Sequence, residues 1–410
     1  MLLFIEMLPL LFHQMKVRVI LPFIIGVLVL LTPSLSSPWM IGSLFGTIRI
    51  IEIVFLAWIV AHFISDKRLY HRSVTAIAFS VIVVSVLAVW QFLLQHSVGG
   101  LWYWLGERSF SVLTPGIANA SLSGNLVLRP YSMFPHPNVL GGFCVVVVCY
   151  LLYFPVHASH KFIRGLVLAA VFSGVLTTII SMSRSAILVL GLVLCFKLFQ
   201  LGVKSLKHGL LLLVAGALLI GVLFTSGAFT RFSTLRTSDE ALVVREELMG
   251  HAVKIFENNQ LVGIGVANFL PVLAEQMPPL PRYQDLQPVH SLYLLILVET
   301  GLIGTAFFII GILFCLYMIF GSTSHRFSKL ILLTAILLLG LTDHYLYTIH
   351  QGQLMMGFVL GVILSRFERK DFTDLRAKNR GTGGQQLSSK KPVSSSSLKI
   401  PRTRSGRRTK

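Results

Sequence analysis

Acidic residues are scarce in this chain. It carries 16 Asp and Glu against 35 Lys and Arg over 410 residues, and all charged residues together make up 12%. The stretch from Thr32 to Ser43 contains no acid at all. That excludes an acidic metal site there, because hard cations need carboxylate oxygens. Cysteine is nearly as rare. Cys144, Cys149, Cys195 and Cys315 all fall inside apolar runs, and no CxxC occurs. A disulfide framework and a structural zinc site are thereby set aside, and no cofactor is expected. Internal repeats are also lacking, which weakens a transporter built from two matching halves.

Apolar length is what the chain has in abundance. It is 54% hydrophobic with mean hydropathy +0.78. Apolar runs of about 18 residues or more read as membrane spans. About ten occur, roughly at 17–33, 43–64, 73–95, 138–155, 162–181, 184–201, 208–225, 291–320, 328–346 and 349–366. Residues 1–12 are apolar but short, and read as an interfacial segment or a poor extra span. The expectation is an all-α integral membrane protein with a polytopic domain over 1–366.

Orientation follows from the basic connectors. Lys16/Arg18, Lys67/Arg68/Arg72, Lys161/Arg164, Lys204/Lys207 and Arg326/Lys329 mark one side. Both termini are then cytoplasmic, and loops near 34–42, 96–137, 181–184, 225–290 and 346–350 face outward. The net charge of +19 does not signal nucleic acid. Fourteen of the 35 cations lie between Arg366 and Lys410, in a Ser-, Gly- and Thr-rich stretch. Residues 367–410 read as a disordered cytoplasmic tail suited to anionic membrane lipid.

The rhythm of short connectors breaks once, between about 225 and 290. This large extracytoplasmic loop opens a helix at the capping box Thr237-Ser-Asp-Glu240. Leu242, Met249, Val253 and Phe256 are expected on its apolar face, with Arg245 on or beside that face. Gly263-Ile-Gly265 breaks the chain, and Pro278-Pro-Leu-Pro281 is extended. Arg245 needs an anionic partner. That partner is either an internal carboxylate, such as Glu246, Glu299 or Asp343, or a substrate.

Three further elements bear polar residues at span ends. Arg184 lies in Ser181-Met-Ser-Arg-Ser185, where an arginine marks function or snorkels to the interface. The flanking serines add hydroxyl donors. His290 precedes a span, with Ser291 as a possible cap. A helix N-terminus disfavours imidazolium, so a neutral, basic ring suits a proton acceptor. Two arginine forks and a base point to chemistry on an anionic, lipid-linked substrate. Asn138 stands where it can cap the span after Phe134-Pro-His-Pro. Asp343 and His344, in Thr-Asp-His-Tyr, form a polar cluster that either binds sugar hydroxyls or is a wet helix end. Trp102-Tyr103-Trp104 is an interfacial anchor.

Taken in order, Ser183-Arg184-Ser185, Arg245, Gly263-Ile-Gly265, His290-Ser-Leu-Tyr293 and Glu299-Thr-Gly-Leu-Ile-Gly304, with Phe134-Pro-His-Pro-Asn138 before them, resemble the O-antigen ligase and O-antigen polymerase superfamily. The resemblance covers about 125–366. It implies a GT-C-like membrane glycosyltransferase in cell-envelope polysaccharide or lipopolysaccharide biosynthesis. Such an enzyme moves glycan from an undecaprenyl-pyrophosphate carrier to an acceptor glycan or glycolipid at the outer face of the plasma (inner) membrane. It is inverting and metal-independent. The resemblance implies that Arg184 and Arg245 bind the diphosphate and that His290 assists the acceptor. Asn138, Asp343 and His344 are candidates for substrate binding. Two departures stand out: about ten spans where many ligases have twelve, and the basic tail. The competing expectation is a glycolipid flippase, which would show broken helices and ionisable groups near the bilayer midplane. Glu52, Arg49 and Lys197 are the few such groups.

Overall fold

The computed structural model of the chain describes residues 17–122, 125–154, 161–202, 240–276, 286–322 and 324–365. The chain divides into two units, Met1–Phe367 and Glu368–Lys410. The second lies outside the described residues, as do residues 1–12, the expected span at 208–225, the capping-box residues 237–239 and the proline run at 278–281.

The described residues form helices α1 (Val17–Leu35), α2 (Met40–Ser65), α3 (Lys67–Leu94) and the short α4 (Leu101–Trp104). A hairpin of β1 (Asn119–Leu122) and β2 (Asn125–Leu128) follows. Then come α5 (Pro137–Tyr153), α6 (Lys161–Ile180), α7 (Arg184–Gly202), α8 (Glu240–Asn258) and α9 (Phe269–Gln276). The last elements are α10 (Leu292–Gly321), α11 (Arg326–Thr342), α12 (Tyr345–Thr348) and α13 (His350–Leu364). The antiparallel hairpin, with Asn119 opposite Leu128, and an isolated antiparallel bridge between His96 and Ser111 depart from an all-α chain. Asn119 opens β1 and Asn125 opens β2, and period-two alternation over four residues is too short to stand out in a sequence.

Five described helices, α2, α3, α6, α7 and α10, are long and apolar enough to cross a membrane. Residues 24–35 of α1, together with α5 and α13, are apolar but shorter. The protein is a mainly helical, multi-pass membrane protein.

Helix α5 is the axis of the bundle. Fourteen of its residues are buried, among them Gly141, Gly142, Cys144 and four consecutive valines. Without a strong hydrophobic drive between helices in lipid, close approach of small residues is what holds a bundle together. A Cβ on Gly141 would meet the Ser181 hydroxyl, and one on Gly142 would meet the Tyr345 hydroxyl. These two glycines let the α6–α7 turn and the α11–α12 turn close over the start of α5.

At the other end of the bundle, side chains satisfy the last carbonyls of helices. Tyr70 donates to the Phe154 carbonyl at 2.7 Å, Ser328 to Tyr153 at 2.8 Å, Lys197 to Leu152 at 2.7 Å and Lys329 to Ser365 at 2.6 Å. Cations suit helix C-termini, so Lys197 is accounted for without any transport role.

Helix α10 is broken at Gly301, where φ is 63° and ψ is −167°. The break frees backbone groups that the segment after α8 then takes up. Ile264 and Gly265 donate to the carbonyls of Val298 and Glu299 at 3.2 and 2.9 Å. Leu302 and Ile303 donate to Gln260 and Leu261 at 2.8 and 3.1 Å. The Glu299 carboxylate, 2% exposed, accepts from Ala267 N at 2.8 Å and Phe269 N at 3.2 Å. A broken helix at membrane depth is tolerated only when protein satisfies its backbone, and this loop does so. Gly263 and Gly301 lie backbone to backbone: a Cβ on either would press into the other segment's main chain, and both have positive φ. The two glycine motifs of the sequence are thus halves of one joint.

Gly301→Ala is expected to lower the thermal midpoint of the detergent-solubilised protein. The left-handed conformation and the contact with the Leu261 carbonyl together cost on the order of 1–3 kcal/mol. Gly311→Ala, in the same helix with open space at its Cβ, is expected to leave the midpoint unchanged. Equal midpoints for wild type and Gly301→Ala would show that the joint carries no stability.

Candidate active site

The joint at Gly301 fixes where α8 lies. Leu248, Ala252 and Ile255 are its buried residues, packed with Ile264, Phe269, Leu273, Val289, Leu295 and Val298. The apolar face is therefore rotated from the expected one: Met249 is 51% and Val253 45% exposed, while Phe256 packs at its margin as expected. Helical spacing alone allows either face, and close packing on α10 selects the one that carries Ala252. Arg245 still turns inward, because it precedes Leu248 by three residues on the packed side. It is half-buried. Among the described residues no carboxylate forms an ion pair with it. Glu299, one candidate partner, is taken by the Ala267 and Phe269 amides.

His290 sits at the mouth of α10, and Ser291 is the N-cap as expected, its hydroxyl accepting from Leu294 N at 3.4 Å. The His290 Nδ1 is buried and has no hydrogen-bond partner among the described residues. Its ring meets the His344 ring edge-on at 5.5 Å. Burial first, then the Arg245 cation, holds its pKa down from 6.5 to about 4, with Asp343 pulling the other way. The imidazole is thereby neutral at physiological pH, as expected, but a weaker base than one poised near pH 7. The main cause is burial rather than the helix terminus.

Asn138 departs from its expected role. The cap of α5 is His136, whose Nδ1 accepts from Asn138 N at 3.1 Å. Pro137 occupies the first helical position, where a missing N–H costs nothing. The Asn138 side chain is thereby freed to bridge. Its Oδ1 accepts from Arg129 Nη2 at 2.7 Å, and its Nδ2 donates to Asp343 Oδ2 at 2.8 Å. Arg129 Nε also donates to the Ser181 carbonyl at 2.9 Å. Asp343 Oδ1 accepts from His344 N at 2.8 Å and lies 4.0 Å from His344 Nε2. Burial pushes the Asp343 carboxyl up, but His344, the Asn138 amide, His290 and His136 outweigh it and hold it below its ordinary value. His344 Nδ1 is engaged with the Thr348 hydroxyl at 2.7 Å. Burial and Arg129 hold the His136 ring down at about 3.

Arg184 opens α7 and is half-buried. The preceding turn is tight, with Met182 at φ 52°. Its serines serve the backbone: Ser181 Oγ donates to the Thr178 carbonyl at 2.7 Å, and Ala186 N donates to Ser183 Oγ at 3.5 Å. The Ser181 carbonyl is the one Arg129 grips, so the Arg184 turn is tied to Asn138.

The structure thus gathers Asn138, His290, Asp343 and His344, with Arg245 close enough to act on His290 and His344. It adds Arg129 and His136, to which sequence reasoning assigned no role. A signal existed: both fall in the proline-punctuated segment Arg129–Asn138, where the backbone is irregular and side chains must supply the hydrogen bonds. Both Asp343 oxygens are spoken for by Asn138 and His344 N. Among the described residues no group of three or more His, Cys, Asp or Glu is arranged to hold a metal ion.

The fold and site define a multi-pass membrane protein with arginine and neutral histidine gathered at one end of a helix bundle. Residues 168–309 match the family described as O-Antigen ligase. That segment runs from α6 into α10 and contains Arg184, Arg245 and His290. The match supports the O-antigen ligase/polymerase superfamily, whose members carry out glycan transfer from polyprenyl-linked donors in surface polysaccharide synthesis. No curated protein matches the chain.

The arrangement sets the titration of His290. The ring is expected to stay neutral well below pH 6.5 and to take up its proton only near pH 4. In Arg245→Ala its midpoint is expected to rise, since the second cause of its depression is gone, while burial keeps it below 6.5. Ring-labelled histidine NMR, with the signal assigned by its loss in His290→Ala, reads both. A midpoint unmoved by Arg245→Ala would place the guanidinium outside the site.

Proposed function

We propose that the protein is a GT-C-like membrane glycosyltransferase. It transfers glycan from an undecaprenyl-pyrophosphate carrier to a hydroxyl of an acceptor glycan or glycolipid at the outer face of the plasma membrane. The observation that carries this reading is the approach of Arg245, without a carboxylate partner among the described residues, to a neutral His290.

Transfer breaks the bond between the sugar C1 and the pyrophosphate oxygen, and forms one between C1 and the acceptor oxygen. Negative charge grows on the pyrophosphate as it leaves. Arg245 and Arg184 are assigned to hold it, since a guanidinium fork matches two phosphate oxygens and needs no reorganisation. The acceptor hydroxyl loses its proton to His290. A single displacement at C1 inverts its configuration. Asp343, His344 and Asn138 are assigned to the acceptor side of the site.

Burial and the neighbouring Arg245 cation make His290 a weak base. A diphosphate on Arg245 cancels the cation that depresses it, so the bound donor raises the basicity of the ring. The pKa of a catalytic base works best near the ambient pH, and donor binding moves His290 in that direction.

The broken helix α10 is a feature a flippase would also have. Here the Val298 and Glu299 carbonyls and the Leu302 and Ile303 amides at the break are taken by the chain's own 260–265 segment, which favours a structural joint over an ion site.

The test is release of free carrier from an undecaprenyl-pyrophosphate oligosaccharide by purified protein, with acceptor and excess EDTA. Acceptor-dependent release is expected to persist in EDTA. It is expected to fall about 100- to 10,000-fold in His290→Ala and about 100- to 1,000-fold in Arg245→Ala. Transport of intact glycolipid across vesicles without release, or release abolished by EDTA, would contradict the proposal.

A further inference from the structure

Arg129 uses two edges of its guanidinium at once. Nε holds the Ser181 carbonyl, three residues before Arg184, and Nη2 holds the Asn138 amide oxygen. Asn138 passes the constraint on through its other end to Asp343 Oδ2. Four segments meet in this chain of hydrogen bonds: the stretch after β2, the start of α5, the α6–α7 turn and the turn after α11. Asp343 is buried, 6% exposed, and both of its oxygens are held.

The groups that act electrostatically on His290 are Arg245 from α8 and Asp343 and His344 from the turn after α11; His136, before α5, is perturbed by His290 in turn. Asp343 is the one carboxylate in that set. When His290 takes a proton, Asp343 is the group that stabilises the imidazolium. A loose carboxylate would instead drift from His344 and His290, the groups whose charges it offsets. Fixing both oxygens prevents that.

We propose that Arg129 and Asn138 are positioning residues for the transfer: their hydrogen-bond chain holds the Asp343 carboxylate beside His344 and His290. This rests on the reading of His290 as the acceptor's base. The logic is that of a base oriented by a third group, here extended by two further links.

The test uses Arg129→Lys, Asn138→Ala and the double variant of the full chain. Lysine keeps the charge but has one ammonium where two fork edges are needed. Each single variant is expected to lose about 10- to 100-fold in kcat, with the KM for the carrier largely unchanged. The double variant is expected to be no slower than the slower single one, because both break one chain. The His290 midpoint, read by ring-labelled histidine NMR, is expected to fall in both single variants as the carboxylate drifts away. Neither substitution removes a charge, so a purely electrostatic effect of the side chains would leave it in place.

Unchanged kcat in Arg129→Lys, losses that multiply in the double variant, or a His290 midpoint that stays put would each overturn the proposal. Arg129→Lys carries the test if Asn138→Ala does not fold, as judged by size-exclusion profile and thermal midpoint. The two readings fail separately. Wild-type protein without acceptor-dependent release sinks the transferase reading, while the titration still decides whether the chain positions Asp343.

Discussion

Everything at the candidate site depends on a backbone joint. Helix α10 breaks at Gly301, and the segment from Gln260 to Gly265 supplies the hydrogen bonds the break leaves open. Two glycines of positive φ face each other across it, and the Glu299 carboxylate clamps the amides of Ala267 and Phe269. Side-chain contacts alone would let α8 slide or roll. Paired backbone groups in a water-poor setting do not, since each unpaired group costs several kcal/mol in hydrocarbon. The joint therefore sets the height and rotation of α8, and with it the place of Arg245. The start of the same α10 carries His290. One helix thus fixes both the cation and the base.

A second constraint closes the site from the other side. The glycine pair in α5 admits Ser181 and Tyr345 against the helix axis, which brings two turns within reach of Asn138. Small residues do here what a large apolar core does in a soluble domain. The electrostatic outcome is three depressed histidines around one held carboxylate, with Arg129 acting on His136 and Arg245 on His290 and His344.

Much of this was legible in the residues. Apolar periodicity located nine helices that the structure describes, because a span of lipid demands a long apolar run. His290 and its serine cap could be read off, since both lie at a sharp transition from polar to apolar sequence. Arg245 was placed inward for a partly wrong reason: Met249 and Val253 looked like the packed face, and Leu248, Ala252 and Ile255 form it. A local pattern cannot weigh Ala252 against Val253 when close approach to a neighbouring helix decides. Asn138 was read as a cap because Asn at a helix start usually is one. Its real partners, Arg129 and Asp343, lie 9 and 205 residues away, and no local rule reaches the second of them. The hairpin at 119–128 was missed because four-residue strands hold too little pattern to register.

The most direct measurement is a structure of the protein with undecaprenyl pyrophosphate bound, determined by electron cryomicroscopy in a lipid nanodisc. The result expected is a diphosphate held by Arg245, with the Arg184 helix end against it and the His290 ring facing the carrier's terminal phosphate. A diphosphate seated away from Arg245 and His290, such as among Arg49, Glu52 and His350 on the face shared by α2 and α13, would contradict the assignment of this site.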